Sequence, residues 1–337
     1  MRILVTGGAG YVASVTVERL LDAGHHVVVL DSLATGHRGA VAPGARLVVG
    51  SLRDTTALER LLRDEGIEAA LHCAARSLVG QSVEEPALYY GENVVGGVGL
   101  LDALLAAGVG RIVFSSTAAV YGAPEVTPIS EDAPLRPIST YGEVKRAFEG
   151  AMHWYGGAYG MRCVALRYFN VAGASERCGE DHRPETHLIP NVLRAALGQG
   201  DVTIHGDDYG TPDGTCVRDY IHVLDLADAH LAAIELTGTD AVPPGLTALN
   251  LGSGSGFSVS QVLDAARLVT GVDIPTSIGP RRPGDPPVLV ASNERARAVL
   301  GWTPARGTLE EMVGSAWRWR QAHPGGYADG EGQRAEA

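Results

Sequence analysis

An α/β fold, a doubly wound parallel sheet with a smaller C-terminal α/β lobe, is what this sequence predicts, and three observations carry it. Apolar strand-like runs alternate with helical periodicity through the first half of the chain. The first run passes through a glycine turn into an amphipathic stretch. After Asn170 the pattern breaks into short pieces separated by Gly and Pro. Such alternation implies parallel strands joined by crossover helices that cover both faces of a sheet.

Taken in order, Arg2–Thr6 reads as a short buried strand, followed by Gly7-Gly8-Ala9-Gly10-Tyr11-Val12-Ala13 and an amphipathic helix over residues 15–21. Gly7 allows a tight turn and Gly10 lets the backbone approach a pyrophosphate. The opening helical turn offers free N–H groups and a positive dipole end to the phosphates. Ala13 is the small residue needed where helix meets strand. The context, strand then glycine turn then helix, makes this the start of a Rossmann-type dinucleotide-binding unit. A second strand over 26–30 ends on Asp31. Its carboxylate either accepts both adenosine ribose hydroxyls and repels a 2′-phosphate, favouring NAD over NADP, or only caps the strand end.

Further strands are expected at 46–49, 69–73, 111–115 and 162–167, with helices at 55–65, 85–107 and 141–159. Residues 173–190 are rich in polar and charged types, and 206–214 and 280–287 are punctuated by Gly and Pro. These pieces are expected to form a lobe closing over the C-terminal edge of the sheet, where open parallel sheets bind ligands. The division is therefore 1–170 for the cofactor domain, with 223–253 returning to it through a helix at 225–236 and a strand at 248–251. The second lobe takes 171–222 and 254–325. The end, from Pro324 onward, has no periodicity and reads as a frayed tail, with 326–337 flexible. There are no internal repeats.

Composition bounds the function classes. The 337 residues suffice for two packed lobes, and 45% hydrophobic with 20% charged residues is the balance of a globular enzyme. Net charge is −12, without a Lys/Arg cluster to track a nucleic-acid backbone or an anionic membrane. Cys73, Cys163, Cys178 and Cys216 show no paired metal-ligand spacing, and four scattered thiols suggest a reducing compartment. The histidines lack metal-site clustering, so no metal is expected. A strand beginning at residue 2 leaves no room for a signal sequence, and no apolar run reaches membrane-spanning length. The expectation is a cytoplasmic protein with no nucleic-acid or membrane partner.

The most informative chemistry lies in Ser139-Thr140-Tyr141-Gly142-Glu143-Val144-Lys145. On a helix, Tyr141 and Lys145 share one face, so an ammonium beside the phenol favours its anion and moves it toward use as a base. Thr117 can hold the alcohol being oxidised. Together with the dinucleotide motif, these residues describe a hydride-transfer site.

The chain at this point resembles, over nearly its whole length, the UDP-glucose 4-epimerases (UDP-galactose 4-epimerases) of the extended short-chain dehydrogenase/reductase superfamily. The glycine motif, Ser115-Ser116-Thr117 before Tyr121-Gly122, the Tyr141/Lys145 pair and Arg167-Tyr168-Phe169-Asn170 are superfamily-like. More specific are the stretches 179–190, Gly-Glu-Asp-His-Arg-Pro-Glu-Thr-His-Leu-Ile-Pro, and 206–223.

The resemblance implies that Tyr141 takes the proton of the sugar 4-hydroxyl while hydride leaves C4 for the nicotinamide, and that the 4-keto sugar turns over before hydride returns. Lys145 would bind the nicotinamide ribose and depress the Tyr141 pKa, and Thr117 would relay the proton or orient the reacting oxygen. NAD contacts would come from Gly7, Gly10, Tyr11 and Val12; from Asp31, Ser32, Leu33, Thr35 and Gly36; and from Ser51, Leu52, Cys73, Ala74, Ala75 and Arg76. Asn93, Ser115, Tyr141, Lys145, Tyr168 and Phe169 complete that side.

On the substrate side, Arg218 and Arg282 match diphosphate ligands and Asp285 a uridine-ribose ligand. Asn170, His187, Leu188, Thr203, Ile204 and His205 match sugar or uridine contacts. Read without the resemblance, Arg218 could equally pair with Asp219, Arg282 could be a solvated loop charge, and His187 could bond only backbone. Helices 85–107 and 141–159 match the pair that forms the family's dimer contact, implying a homodimer.

Four positions depart from the family: Ala13 for a glycine, Ser51 for an adenine-binding Asp, Arg76-Ser77 where many relatives place a lysine, and Glu92 for an Asn. Loss of the charged partner at Ser51 would weaken the cofactor by about 1 kcal/mol. Leu289 stands where a bulky Tyr restricts the family pocket, so N-acetylated substrates are expected to fit as well. A nucleotide-sugar 4,6-dehydratase is disfavoured because Ala118-Ala119 follow Thr117 where relatives place an Asp-Glu pair. A UDP-uronate 4-epimerase and a non-catalytic nucleotide-sensing protein remain as alternatives.

Overall fold

The structure, a computed structural model, describes residues 1–282 and 285–328. The first half alternates β1 (Arg2–Thr6), α1 (Tyr11–Asp22), β2 (His26–Asp31), β3 (Arg46–Val49), α2 (Thr55–Asp64), β4 (Ala69–His72), α3 (Val79–Glu84), α4 (Pro86–Tyr89), α5 (Gly96–Ala106), β5 (Arg111–Thr117), α6 (Thr140–Tyr159) and β6 (Arg162–Tyr168). There follow β7 (Asn170–Ala172), α7 (Leu188–Ala196), β8 (Val202–His205), β9 (Val217–His222), α8 (Val223–Leu236), β10 (Gly245–Leu251), β11 (Gly256–Ser258) and α9 (Val259–Thr270). The last elements are β12 (Thr276–Gly279), β13 (Val288–Leu289), α10 (Glu294–Leu300) and α11 (Leu309–Ala322).

Seven strands form one parallel sheet in the order β10-β6-β5-β4-β1-β2-β3. The order reverses between β1 and β4, and such a switch point opens a crevice at the carboxyl ends of the strands. Buried Val and Leu on β1, β2 and β4 face both ways, as a sheet covered on two sides requires. Phe114 and Phe148 meet edge to face at 4.7 Å, locking α6 onto β5. α8 packs along α1, and β10 continues the sheet beyond β6.

The remaining strands are smaller assemblies. β9 pairs with β7 and β13 in parallel and with β11 antiparallel, while β8 and β12 form a parallel pair of their own. A buried ion pair ties helix to sheet: Glu149 on α6 grips Arg167 on β6 at 2.6 Å, and both are almost fully buried. Removing one partner of such a pair costs about 3–5 kcal/mol.

Two expectations need correction. The helix expected over 85–107 is not one α-helix. Residues Tyr90–Val95 between α4 and α5 wind as a π-helix, a local widening common at functional sites. Periodicity cannot register this, because one inserted residue barely disturbs the apolar stripe. The frayed tail from Pro324 is also wrong as far as residue 328. Tyr327 is only 8% exposed, stacks on His37 beside a tilted Trp319, donates from its hydroxyl to the Gly179 carbonyl at 3.1 Å and accepts the Gly179 N–H at 3.0 Å. One aromatic anchor needs no periodic segment. The rest of the expected tail, 329–337, lies outside the described residues.

Candidate active site

β1 ends in a turn made possible by Gly7 at φ +72°, a left-handed conformation that costs a glycine little. A Cβ at Gly7 would sit 2.6 Å from the Ala74 nitrogen, so this glycine also lets the turn press against the strand end at β4. Gly10 caps α1 with no side-chain bond, leaving the first-turn N–H groups open. Asp31 closes the turn from β2: one oxygen accepts from Ala9 N at 3.0 Å, the other from Leu33 N at 2.8 Å. Burial pushes its carboxyl up, against those two N–H groups. A carboxylate has about four lone-pair sites, so capacity for ribose hydroxyls remains. Uncapped helix, glycine turn and acidic strand end together fit a dinucleotide.

The rest of the expected cofactor residues divide. Val12, Ser32, Leu33, Thr35 and Gly36 lie in the turn and the loop after β2, where Gly36 packs onto Ala9. Tyr11 instead braces the structure, donating its hydroxyl to the Gly173 carbonyl at 2.6 Å. Leu52 is in the core, and Ser51 beside it is exposed and accepts only from Arg53 N. Glu92 lies 3.9 Å from the Arg53 guanidinium. Cys73, Ala74, Ala75 and Arg76 line the loop leaving β4. Asn93, carried inward by the π-helix, clamps that loop by accepting from Arg76 N at 2.8 Å and donating to Arg76 O at 3.0 Å.

The chemical centre sits where β5, α6 and β6 meet. Ser139 caps α6, accepting from Gly142 N at 3.2 Å, which sets Tyr141 and Lys145 on the first turns. Gly142 is required there: a Cβ would fall 2.5 Å from the Ala119 carbonyl oxygen. Ser82 on α3 accepts the Tyr141 N–H at 3.1 Å. Thr117, at the end of β5 and in register with Tyr168 on β6, reaches the Tyr141 phenol through its side chain. Lys145 donates to the Ser115 carbonyl at 2.8 Å, with its ammonium 5.8 Å from the Tyr141 ring centre.

This geometry corrects one expectation. Tyr141 is not depressed; burial pushes it up to about 12, and the Thr117 hydrogen bond offsets only part of that. Burial also lowers Lys145 to about 8. The ammonium is spent on the Ser115 carbonyl and the Phe114 ring, so desolvation governs the phenol.

Behind this pair runs a chain the sequence did not disclose. Cys73 Sγ lies 2.9 Å from Ser115 Oγ, which lies 2.9 Å from His230 Nε2 on α8. Tyr168 adds its hydroxyl near Ser115. Nothing in the local spacing of α8 distinguishes His230 from an ordinary core residue.

Across the crevice, the Arg218 guanidinium pairs with Asp285 and not with Asp219. Asp219 is fully buried, accepting from Ser253, Gly254 and Ala291. Leu289 on β13 is in register with Arg218 and packs, like Phe169, against the cluster of Val120, Tyr121 and Ile129. Asn170 opens β7. Thr203, Ile204 and His205 lie on β8, away from β9. Arg282 is exposed, and its neighbour Arg281 is engaged, pairing with Asp208 over the Tyr209 ring at 4.3 Å. Pro283 and Gly284, between Arg282 and Asp285 in the motif, lie outside the described residues.

His187 caps α7 just ahead of Leu188, but its imidazole faces Glu180 and Glu185 at 2.9 Å each. The fold brings two of the histidines together with two glutamates. Glu180, His182, Glu185 and His187 bring four donor atoms within 4.8 Å of one another. His182 and His187 have a His-x4-His spacing that zinc sites use, but only the fold of the loop converges them with Glu180 and Glu185.

Residues 3–247 match the NAD dependent epimerase/dehydratase family. A UDP-glucose 4-epimerase of Lactobacillus helveticus is 50% identical, covering 98% of this chain and 100% of that protein. A solved structure of a UDP-glucose 4-epimerase superposes with TM-score 0.94 at 48% identity, covering 97% of this chain and 99% of the other. The UDP-glucose 4-epimerase from Brucella ovis in complex with NAD gives 0.91 at 42% identity, covering 94% and 98%.

Proposed function

This chain belongs to the NAD dependent epimerase/dehydratase family, and from that premise we propose that it is an NAD-dependent UDP-glucose/UDP-galactose 4-epimerase working through a transient 4-keto sugar. The observation that carries the reading is the meeting of Thr117 with the Tyr141 phenol, one helical turn from Lys145, at the carboxyl edge of the sheet.

NAD, when bound, supplies the two-electron acceptor and donor at the sugar carbon; Gly7, Gly10, Asp31 and the start of α1 would hold it. Tyr141 Oη moves the proton of the 4-hydroxyl out and back, within hydrogen-bond reach of that oxygen. At neutral pH the phenol rests protonated in this pocket, so a further positive charge must come close before it accepts a proton. Thr117 orients the reacting oxygen. Lys145, held by the Ser115 carbonyl, keeps its ammonium at the ribose side. Arg218 has N–H groups beyond those that grip Asp285 and can hold a diphosphate oxygen at the same time. Arg282 supplies a second charge.

Two finer readings belong to the same proposal. Leu289 leaves more room than a tyrosine, which supports turnover of N-acetylated UDP-hexoses. A homodimer is supported by the apolar groups that α5, α6 and the π-segment expose, Val95, Leu105 and a 74% exposed Trp154 among them. No described helix is long and apolar enough to cross a membrane. Four free thiols support a cytoplasmic setting.

The test is direct. Purified protein is given UDP-galactose without added reductant, and NAD is sought after denaturation. Formation of UDP-glucose together with released NAD is expected. A protein that holds NAD yet converts neither sugar would remove the catalytic reading and leave the sensing one.

A further inference from the structure

The loop from residue 180 to 187, which ends on the expected substrate contact His187, converges two imidazoles and two carboxylates on one point. Glu180 Oε1 lies 3.1 Å from His182 Nδ1 and 2.9 Å from His187 Nδ1. Glu185 Oε1 lies 2.9 Å from His187 Nδ1, and its Oε2 lies 3.8 Å from His182 Nδ1. The imidazole rings are 5.2 Å apart. Hydrogen bonding inside the cluster accounts for most of these atoms. It does not account for Glu185 Oε2, a fully buried carboxylate oxygen with no hydrogen-bond partner on a side chain only 2% exposed. A buried anionic oxygen without a donor is costly, and native proteins give such an atom a partner.

We propose that Glu180, His182, Glu185 and His187 form a binding site for one divalent transition-metal ion of the Zn²⁺ class. Metal–ligand bonds of about 2.0–2.1 Å in a tetrahedron place donors about 3.3–3.4 Å apart. The carboxylate–imidazole separations, 2.9 to 3.8 Å, lie around that edge, and all four donor atoms lie within 4.8 Å of one another. Two imidazole nitrogens with carboxylate oxygens suit Zn²⁺ or Co²⁺; Mg²⁺ and Ca²⁺ favour all-oxygen shells, and no thiolate is present to favour Cu⁺. Four protein donors close the shell, which makes the site structural.

Both imidazoles must be neutral to act as ligands, so uptake of the ion releases protons and strengthens as pH rises. His187 is 47% exposed and provides the entry path.

The position gives the ion something to hold. His187 is the cap of α7. His182 lies edge-on to the Tyr11 ring at 6.4 Å, and the Tyr11 hydroxyl holds Gly173. An ion here therefore ties the loop after β7 both to α7 and to the first turn of α1.

The full-length protein, with whatever NAD it carries, is treated with chelator and titrated calorimetrically with ZnCl₂; CoCl₂ is followed by visible absorption. The expected result is one saturable ion per chain, intense tetrahedral cobalt bands, and a melting temperature raised by Zn²⁺. His182→Asn and Glu180→Gln should each weaken binding by roughly a hundredfold and abolish the melting shift, while His26→Asn changes neither. Circular dichroism and retained NAD verify that the variants are folded. Absence of one-ion binding in the wild type overturns the proposal. So does equal affinity in folded His182→Asn and wild type, since the ion would then be held elsewhere.

Discussion

The two walls of the crevice hold charge in opposite ways. On the β5–α6 wall burial dominates: it outweighs the pull on Lys145 of Glu149, already held by Arg167, and drives the lysine down to about 8 and the phenol up to about 12. On the facing wall, charges are matched: Arg218 with Asp285, Arg281 with Asp208. Chemistry needs groups whose proton affinities sit away from their solution values, which only desolvation or an unmatched charge provides. Recognition of a diphosphate needs standing positive charge that does not destabilise the free protein, and a nearby carboxylate supplies that balance.

The contrast breaks most visibly at Tyr141. Tyr141→Phe removes only the hydroxyl, so the fold and bound NAD should survive while kcat falls roughly a thousandfold. Interconversion of UDP-galactose and UDP-glucose measures it, and a loss under tenfold would move the proton transfer elsewhere. On the opposite wall, Arg218→Met should act on binding. A charge-assisted hydrogen bond worth about 2 kcal/mol corresponds to about a thirtyfold rise in KM, with kcat changed far less. A fall in kcat alone would erase the division of labour between the walls.

Leu289→Tyr sharpens the comparison, since the residue is in register with Arg218 but packs against the cluster of Val120 and Tyr121 that follows β5. Activity on UDP-N-acetylglucosamine should drop by about tenfold or more, and activity on UDP-glucose should stay. Equal loss on both substrates would mean the side chain is only structural. Smaller still is Ser51→Asp, which replaces an exposed hydroxyl by a carboxylate. NAD affinity should rise about fivefold, about 1 kcal/mol, by equilibrium titration.

The last effect is one of pH. Folded Lys145 loses its proton near 8, whereas the unfolded chain keeps it until 10.5. Between those values the unfolded state binds more protons, so stability rises with pH across that window and the burial penalty is complete below it. Wild type should therefore gain stability relative to Lys145→Met between about pH 8 and 10.5, read from denaturant unfolding. A flat difference would show that the ammonium is not desolvated.

Much of the first wall was legible because regular elements convert spacing into geometry. A Tyr and a Lys four apart share a helix face, and a glycine turn between strand and helix presents open N–H groups wherever it occurs. The second wall was legible only by resemblance. Arg218 might have paired with Asp219 next to it, and the actual partner is Asp285, 67 residues away. Asn93 shows the same limit: the resemblance implied a cofactor contact, and its clamp on the Arg76 backbone, set by the π-helix, is written in no spacing.

By itself the sequence determined the alternation of strands and helices, the dinucleotide turn, and the shared helix face of Tyr141 and Lys145, because each follows from local periodicity or fixed spacing. Tertiary structure alone decided which charges neutralise one another, that the phenol is raised and not lowered, that Tyr327 anchors the chain end, and that two glutamates and two histidines converge. Those outcomes depend on burial and on contacts between segments distant in sequence or looped back on themselves. No pattern along the chain encodes the dielectric around a side chain or the neighbour it finally meets.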